Sequence, residues 1–326
     1  MKPKVYITRK IPDETLALIS EVCEVALWEQ EDLPVPYEVL EKAVVEVDGI
    51  YSLLTDNIDE ALISKAKNLK VISNMAVGFN NIDLKAATAR GIMVTNTPGV
   101  LTETTADLTF ALLLATARRL VESSDFLREG KWKTWSPMLL TGQDVYGATL
   151  GIIGMGRIGE ALAKRAKGFD MRIIYHNRNR KPAVEKELNA EYVDLDVLLK
   201  ESDFVVIMTP FTPETVNLIG KRELSLMKKT AVLINTARGG IVNEKALYNA
   251  LVKGEIWAAG LDVFEEEPVP LDNPLLSLPN VVALPHIGSA SKKTRMTMAN
   301  LAAENLLQAL AGKTPPNLVN VDLLKG

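Results

Sequence analysis

Thr149-Leu150-Gly151-Ile152-Ile153-Gly154-Met155-Gly156-Arg157-Ile158-Gly159 reads as a short apolar strand running into a glycine-rich turn. A helical pattern follows it as far as Asp170. Strand, G-x-G-x-x-G and helix, in that order, make up a dinucleotide-binding fingerprint. Gly154 permits the tight turn, Gly156 lets the backbone approach a pyrophosphate, and Gly159 lets helix and strand pack closely. Free amides at the helix start supply partial positive charge for phosphates. Glycine-rich turns occur in many loops, so the strand and helix on either side give this one its meaning.

Downstream, a second strand from Met171 to Tyr175 leads into His176-Asn177-Arg178-Asn179-Arg180. An NAD site usually places Asp or Glu about 20 residues after the glycines, where it accepts the ribose hydroxyls. Asn177 stands at the matching position, uncharged, with Arg178 and Arg180 close by. A carboxylate would repel the extra phosphate of NADP, whereas guanidinium groups bind it through paired charge-assisted bonds. The turn therefore favours NADPH/NADP, with NADH a weaker alternative. The bland alternative is a solvated basic turn.

On both sides of the fingerprint the chain alternates strands with helices. Upstream, Val5–Thr8, Val25–Trp28, Gly49–Leu54, Val71–Asn74 and Ile92–Thr95 are β-rich or apolar runs, separated by helix-like segments near residues 13–21, 37–45, 59–67 and 83–90. Downstream, strands are expected at Leu150–Ile153, Arg172–Tyr175, Phe204–Met208, Ala231–Asn235, Ala258–Asp262 and Val281–Ala283. This pattern predicts an α/β protein of two doubly wound parallel-sheet domains, with ligands in a cleft between them. One long helix over Thr102–Arg128 is expected to bridge the domains, and a last helix over Ser291–Ala311 to rejoin the first. The expected substrate domain is thus discontinuous, 1–100 with 289–326, around a cofactor domain at 101–288.

Composition excludes several functions. A net charge of −4 draws the chain to neither nucleic acid nor anionic membrane. The apolar stretch Leu108–Ala117 is too short to span a bilayer, and the N-terminus lacks a signal-peptide core. Cys23 is the only cysteine, which rules out an intrachain disulfide and a thiolate metal cluster, and no metal site is expected. A cytoplasmic location is the simplest expectation.

Three strand ends carry candidate chemistry. Asn235-Thr236-Ala237-Arg238-Gly239-Gly240 puts an arginine beside flexible backbone. Asp262-Val263-Phe264-Glu265-Glu266-Glu267-Pro268 singles out Glu267, because the proline restricts the residue before it. Leu284-Pro285-His286-Ile287-Gly288-Ser289-Ala290 holds one of only two histidines. An isolated histidine of this kind is more often a packing residue, and the acidic run could be a solvated loop. Together, Arg, Glu and His suit carbonyl reduction: negative charge builds on oxygen, which needs a proton donor and a nearby cation.

These motifs, with Val77-Gly78-Phe79-Asn80-Asn81-Ile82-Asp83, resemble the D-2-hydroxyacid dehydrogenase family, in its glyoxylate/hydroxypyruvate reductase and 2-ketogluconate reductase branch, over essentially the whole chain. The resemblance implies a Rossmann-type cofactor domain, a flavodoxin-like substrate domain and a homodimer. It implies His286 as general acid/base, Glu267 as its partner, and Arg238 as the arginine that grips a small 2-keto acid. It places the substrate carboxylate at the amides of Val77 and Gly78, with Leu53, Leu54 and Phe79 shaping the pocket. Trp135 matches a tryptophan that reaches the partner's active site; packing at a helix end is the competing reading. For the cofactor it implies Thr105, Gly154, Met155, Gly156, Arg157, Ile158, Asn177, Arg178, Asn179, Arg180, Thr209, Pro210, Thr215, Thr236, Ala237, Arg238, Asp262, His286 and Gly288. Formate dehydrogenase resembles the same fold, but its histidine pairs with an amide, which Glu267 argues against. A cofactor-sensing corepressor is the non-enzymatic rival.

Overall fold

The computed structural model describes residues 1–324, so positions 325 and 326 of the expected C-terminal segment lie outside the described residues. The chain divides into two compact units. Met1–Leu101 and the segment from Ala290 form one, and Thr102–Ser289 the other.

In the first unit, strands β1 (Lys4–Ile7), β2 (Glu24–Leu27), β3 (Gly49–Ser52), β4 (Val71–Asn74) and β5 (Met93–Thr95) alternate with helices α1 (Asp13–Val22), α2 (Tyr37–Ala43), α3 (Glu60–Lys65) and α4 (Leu84–Ala89). All strand pairs are parallel, in the order β2-β1-β3-β4-β5. That is the flavodoxin-like order. β3 and β4 are buried at every position, as a sheet covered on both faces requires. The closing helix Lys292–Leu310 covers one face: Tyr51 Oη donates to the Ala299 carbonyl at 3.1 Å and Ser73 Oγ to the Ala302 carbonyl at 2.7 Å. A Cβ on Gly49 would stand 2.9 Å from Leu306, so this glycine is set by the helix lying on the strand.

In the second unit, helices α5 (Thr102–Ala117) and α6 (Leu120–Arg128) precede the strands β6 (Thr149–Ile153), β7 (Arg172–His176), β8 (Ala190–Tyr192), β9 (Phe204–Ile207), β10 (Val232–Asn235), β11 (Ala258–Leu261) and β12 (Val281–Ala283). Helices α7 (Arg157–Lys167), α8 (Pro182–Leu188), α9 (Leu195–Glu201), α10 (Lys221–Leu226) and α11 (Glu244–Val252) connect them. The order is β12-β11-β10-β9-β6-β7-β8, again all parallel. Strand order reverses beside β6, so the glycine turn sits at the switch point where such sheets bind ligands. Alternate residues feed two cores. Phe204, Val206, Val232 and Ile234 enter one, and Val205, Ile207 and Leu233 the other.

Two expectations need correcting. The helix expected over Thr102–Arg128 breaks at Arg119, which adopts left-handed φ 52° and ψ 38°. The returning chain caps the first piece, because Gln143 N donates to the Ala117 carbonyl at 2.8 Å. Strand β8 was not anticipated: three residues, with Glu191 exposed, give too brief an alternation to stand out. Among the described residues no helix is long and apolar enough to cross a membrane, and no cluster of three or more His, Cys, Asp or Glu could hold a metal ion.

Candidate active site

The glycine turn has the shape that a bound pyrophosphate requires. Gly154 has φ +104°, and a Cβ there would lie 2.5 Å from Thr209 N. A Cβ on Gly159 would lie 2.7 Å from the Gly154 carbonyl. These two glycines are fixed by packing, whereas a Cβ on Gly156 would meet nothing within 4 Å. No side chain caps the helix that starts at Arg157, and its first-turn amides, Arg157 and Ile158, have no intrahelical acceptor. Such a cradle fits the diphosphate of a dinucleotide. Met155 turns its side chain into the core and donates its amide to Asn177 Oδ1 at 2.6 Å, so Asn177 braces the turn.

The remaining expected cofactor positions line neighbouring strand ends. Thr209 and Pro210 follow β9, and Thr215 Oγ1 folds that loop by donating to the Pro210 carbonyl at 2.9 Å. Thr236 is buried against Thr109, Oγ1 to Oγ1 2.7 Å. A Cβ on Gly288 would touch Thr105 at 3.4 Å. In the basic turn, Arg180 is ion-paired with Glu185 at 2.7 Å.

Arg238, Glu267 and His286 come from loops after β10, β11 and β12. Glu267 Oε2 lies 2.6 Å from His286 Nδ1, and Glu267 Oε1 accepts from Phe264 N at 3.0 Å. Burial pushes the Glu267 carboxyl up, but His286, the Phe264 amide and Arg238 outweigh it and leave it below the ordinary carboxylate range. Burial lowers Arg238 from its usual value, and the charge of Glu267 pulls it back. Gly239 permits the loop contact, since any Cβ would run into the Phe264 carbonyl. His286 has φ +53°, uncommon for a residue with a side chain. Asp262 holds it there, accepting from Ile287 N and Gly288 N at 2.8 Å each. The Asp262 carboxylate is 1% exposed, and burial raises its pKa, offset in part by the Ile287 amide, His286 and the Gly288 amide. Asp262 thus shapes the histidine loop from beneath. With Nδ1 turned to a carboxylate, the Nε2 of His286 is left to exchange a proton.

The first unit gathers its expected substrate residues in two loops. Leu53 N donates to Asp56 Oδ2 at 2.7 Å, and Asn81 Nδ2 donates to the carbonyls of Leu53 and Asp56 at 3.1 and 3.0 Å. Asn74 Nδ2 donates to the Gly78 carbonyl at 2.9 Å, and Asn96 Nδ2 to the Val77 carbonyl at 2.8 Å. The fixed Val77 carbonyl orients the peptide that carries the Gly78 amide, and the Ala76 carbonyl, accepting from Thr97 N at 2.8 Å, orients the one that carries the Val77 amide, an arrangement that suits a carboxylate ligand at those amides. Leu54 and Phe79 are partly exposed in the same loops.

Sequence reasoning passed over Asn74, Asn96 and Asp56, and gave no role to Asn81 or to Asn235, whose Nδ2 holds the Arg238 carbonyl at 2.9 Å. Their signal was faint: short polar residues at strand ends, the type that hydrogen-bonds local backbone. Trp135 lies in the loop after α6 and is 75% exposed, so it is no helix-end packing residue.

A family model for the NAD-binding domain of D-isomer specific 2-hydroxyacid dehydrogenases matches residues 110–288. The chain is 55% identical over 326 residues to a glyoxylate reductase of Korarchaeum cryptofilum, covering 100% of this chain and 98% of the relative. Among solved structures, a protein of Thermus thermophilus aligns with TM-score 0.90 at 49% identity, covering 97% of this chain and 99% of the other. An NADPH-dependent glyoxylate/hydroxypyruvate reductase of Sinorhizobium meliloti, solved with NADP and malonate, aligns with TM-score 0.85 at 35% identity, covering 98% and 97%.

Proposed function

The chain belongs to the D-isomer specific 2-hydroxyacid dehydrogenase family, and on that footing we propose that it is an NADPH-dependent reductase of small 2-keto acids, with glyoxylate and hydroxypyruvate as its substrates. The observation that carries this reading is the 2.6 Å pairing of His286 with Glu267, beside the cationic Arg238. Relatives and solved neighbours with glyoxylate reductase activity in their names support the substrate class.

When bound, the nicotinamide supplies the hydride that reaches C2 of the keto acid. His286 gives the proton at Nε2 to the carbonyl oxygen as negative charge develops there, and Glu267 holds the ring through Nδ1. Arg238 binds the substrate carboxylate and polarises the carbonyl. The family resemblance also gives the amides of Val77 and Gly78 a role in binding the carboxylate, and Leu53 one in bounding the substrate. Gly154, Gly156, Arg157 and Ile158 hold the pyrophosphate. The absence of an acid at Asn177, with Arg178 beside it, supports NADPH over NADH. Trp132, Trp135, Met138 and Tyr146 are all exposed, which supports a homodimer that covers them.

Initial rates of NADPH oxidation with glyoxylate, hydroxypyruvate, pyruvate and 2-ketogluconate test the reading. It expects the first two to be turned over fastest, and NADPH to be used better than NADH. Turnover confined to 2-ketogluconate, or equal use of NADH, would overturn the corresponding part.

A further inference from the structure

The three cations of the turn after β7 are not equally available. Arg180 donates from Nε to both oxygens of Glu185 at 2.8 and 3.0 Å, and from Nη2 to Oε2 at 2.7 Å. Lys181 Nζ is held by Glu160 of α7 at 2.7 Å. Arg178 has no hydrogen bond or ion pair among the described residues, and its charge favours the ionised form of Glu214.

Glu185 is itself fixed. Its side chain is 14% exposed, and its Oε1 accepts from the hydroxyl of Tyr175, a residue fully buried in β7. The same hydroxyl accepts from the backbone N–H of Lys181 at 2.7 Å, so strand, turn and α8 share one network. Arg180 and Tyr175 both draw the Glu185 carboxyl below its ordinary range. A carboxylate held this way stays where it is, and a guanidinium whose charge it already balances is a poor ligand for a second anion.

We propose that Glu185 is a specificity-determining residue: by keeping Arg180 for itself, it leaves the 2′-phosphate of NADP(H) to Arg178 and limits the enzyme's preference for the phosphorylated cofactor. The inference rests on the proposed reading that this turn receives the 2′-phosphate. It assigns the two arginines opposite importance, although sequence alone treats them as equivalent.

The test is direct titration of the full-length protein with adenosine 2′,5′-bisphosphate, with AMP as the probe lacking the 2′-phosphate. Glu185→Gln keeps an acceptor for Tyr175 and removes the charge. It should tighten the bisphosphate about fivefold and leave AMP unchanged. Arg180→Gln alone should change bisphosphate affinity by less than about twofold, and in the E185Q background it should abolish the gain. Arg178→Gln should weaken the bisphosphate about tenfold. Steady-state NADPH:NADH ratios of kcat/KM should follow the same order. E185Q binding no tighter than wild type, or a gain that survives R180Q, overturns the inference while a loss in R178Q keeps the parent reading. If R178Q binds the bisphosphate as wild type does, both fall together.

Discussion

The two units order their strand-end loops by different chemistry. In the second, carboxylates do it: buried Asp262 grips the amides after His286, and half-buried Glu267 holds the imidazole. In the first, neutral amides dominate, with Asn74, Asn81 and Asn96 tying down carbonyls, and the carboxylate among the braces, buried Asp56, accepts from Leu53 N. Charge is costly to bury unless it is paired, and beside His286 the carboxylate of Glu267 has a titratable partner within hydrogen-bond reach. Neutral amide braces orient backbone N–H groups without adding a negative charge that would repel an anionic ligand. On the proposed reading, the difference separates a region that changes protonation from one that binds.

The sharpest way to break this contrast is His286→Asn. It should lower kcat by about 10²–10⁴, the usual worth of a general acid, while NADPH affinity measured by fluorescence titration stays near wild type. A comparable loss from an asparagine brace in the first unit would erase the distinction. Asn81→Ala should instead act mainly on KM, raising it about tenfold through a disordered Leu53 loop, with no recovery in Asn81→Asp, whose carboxylate has no N–H to donate to the Leu53 and Asp56 carbonyls. Unchanged KM with a fallen kcat would contradict the assignment of that unit to binding.

The smallest effect expected is a pH dependence. The Glu267 pKa is lowered from its ordinary value of 4.5. Its pairing therefore stabilises the fold above that value, and the contribution disappears as pH falls through the depressed folded pKa. The Tm difference between wild type and Glu267→Gln should be present near neutrality and shrink as the medium is acidified below 4.5. A difference that grows on acidification would reverse the sign.

Much of the fold was readable because its signals are local. The glycine turn, the apolar strands and the polar residues at their ends lie within short windows, and Gly154 and Gly159 occupy the tight positions their spacing implied. The break at Arg119 was not readable, because the group that caps the first piece there is the amide of Gln143, distant in sequence. The Arg–Glu–His set stood out by residue type at strand ends. The asparagine braces did not, since what they hold is fixed only once separate strands lie side by side. The basic turn shows the same limit: Arg178 and Arg180 look alike until Glu185 is seen to occupy one of them.

The left-handed backbone at His286 sets chemistry against comfort. An L-residue pays about 1–2 kcal/mol to sit in that region, a penalty glycine escapes. Of two proteins disabled at this position, His286→Gly should therefore outlast His286→Ala on heating, and selection for thermal endurance alone would drift toward the achiral residue and away from turnover.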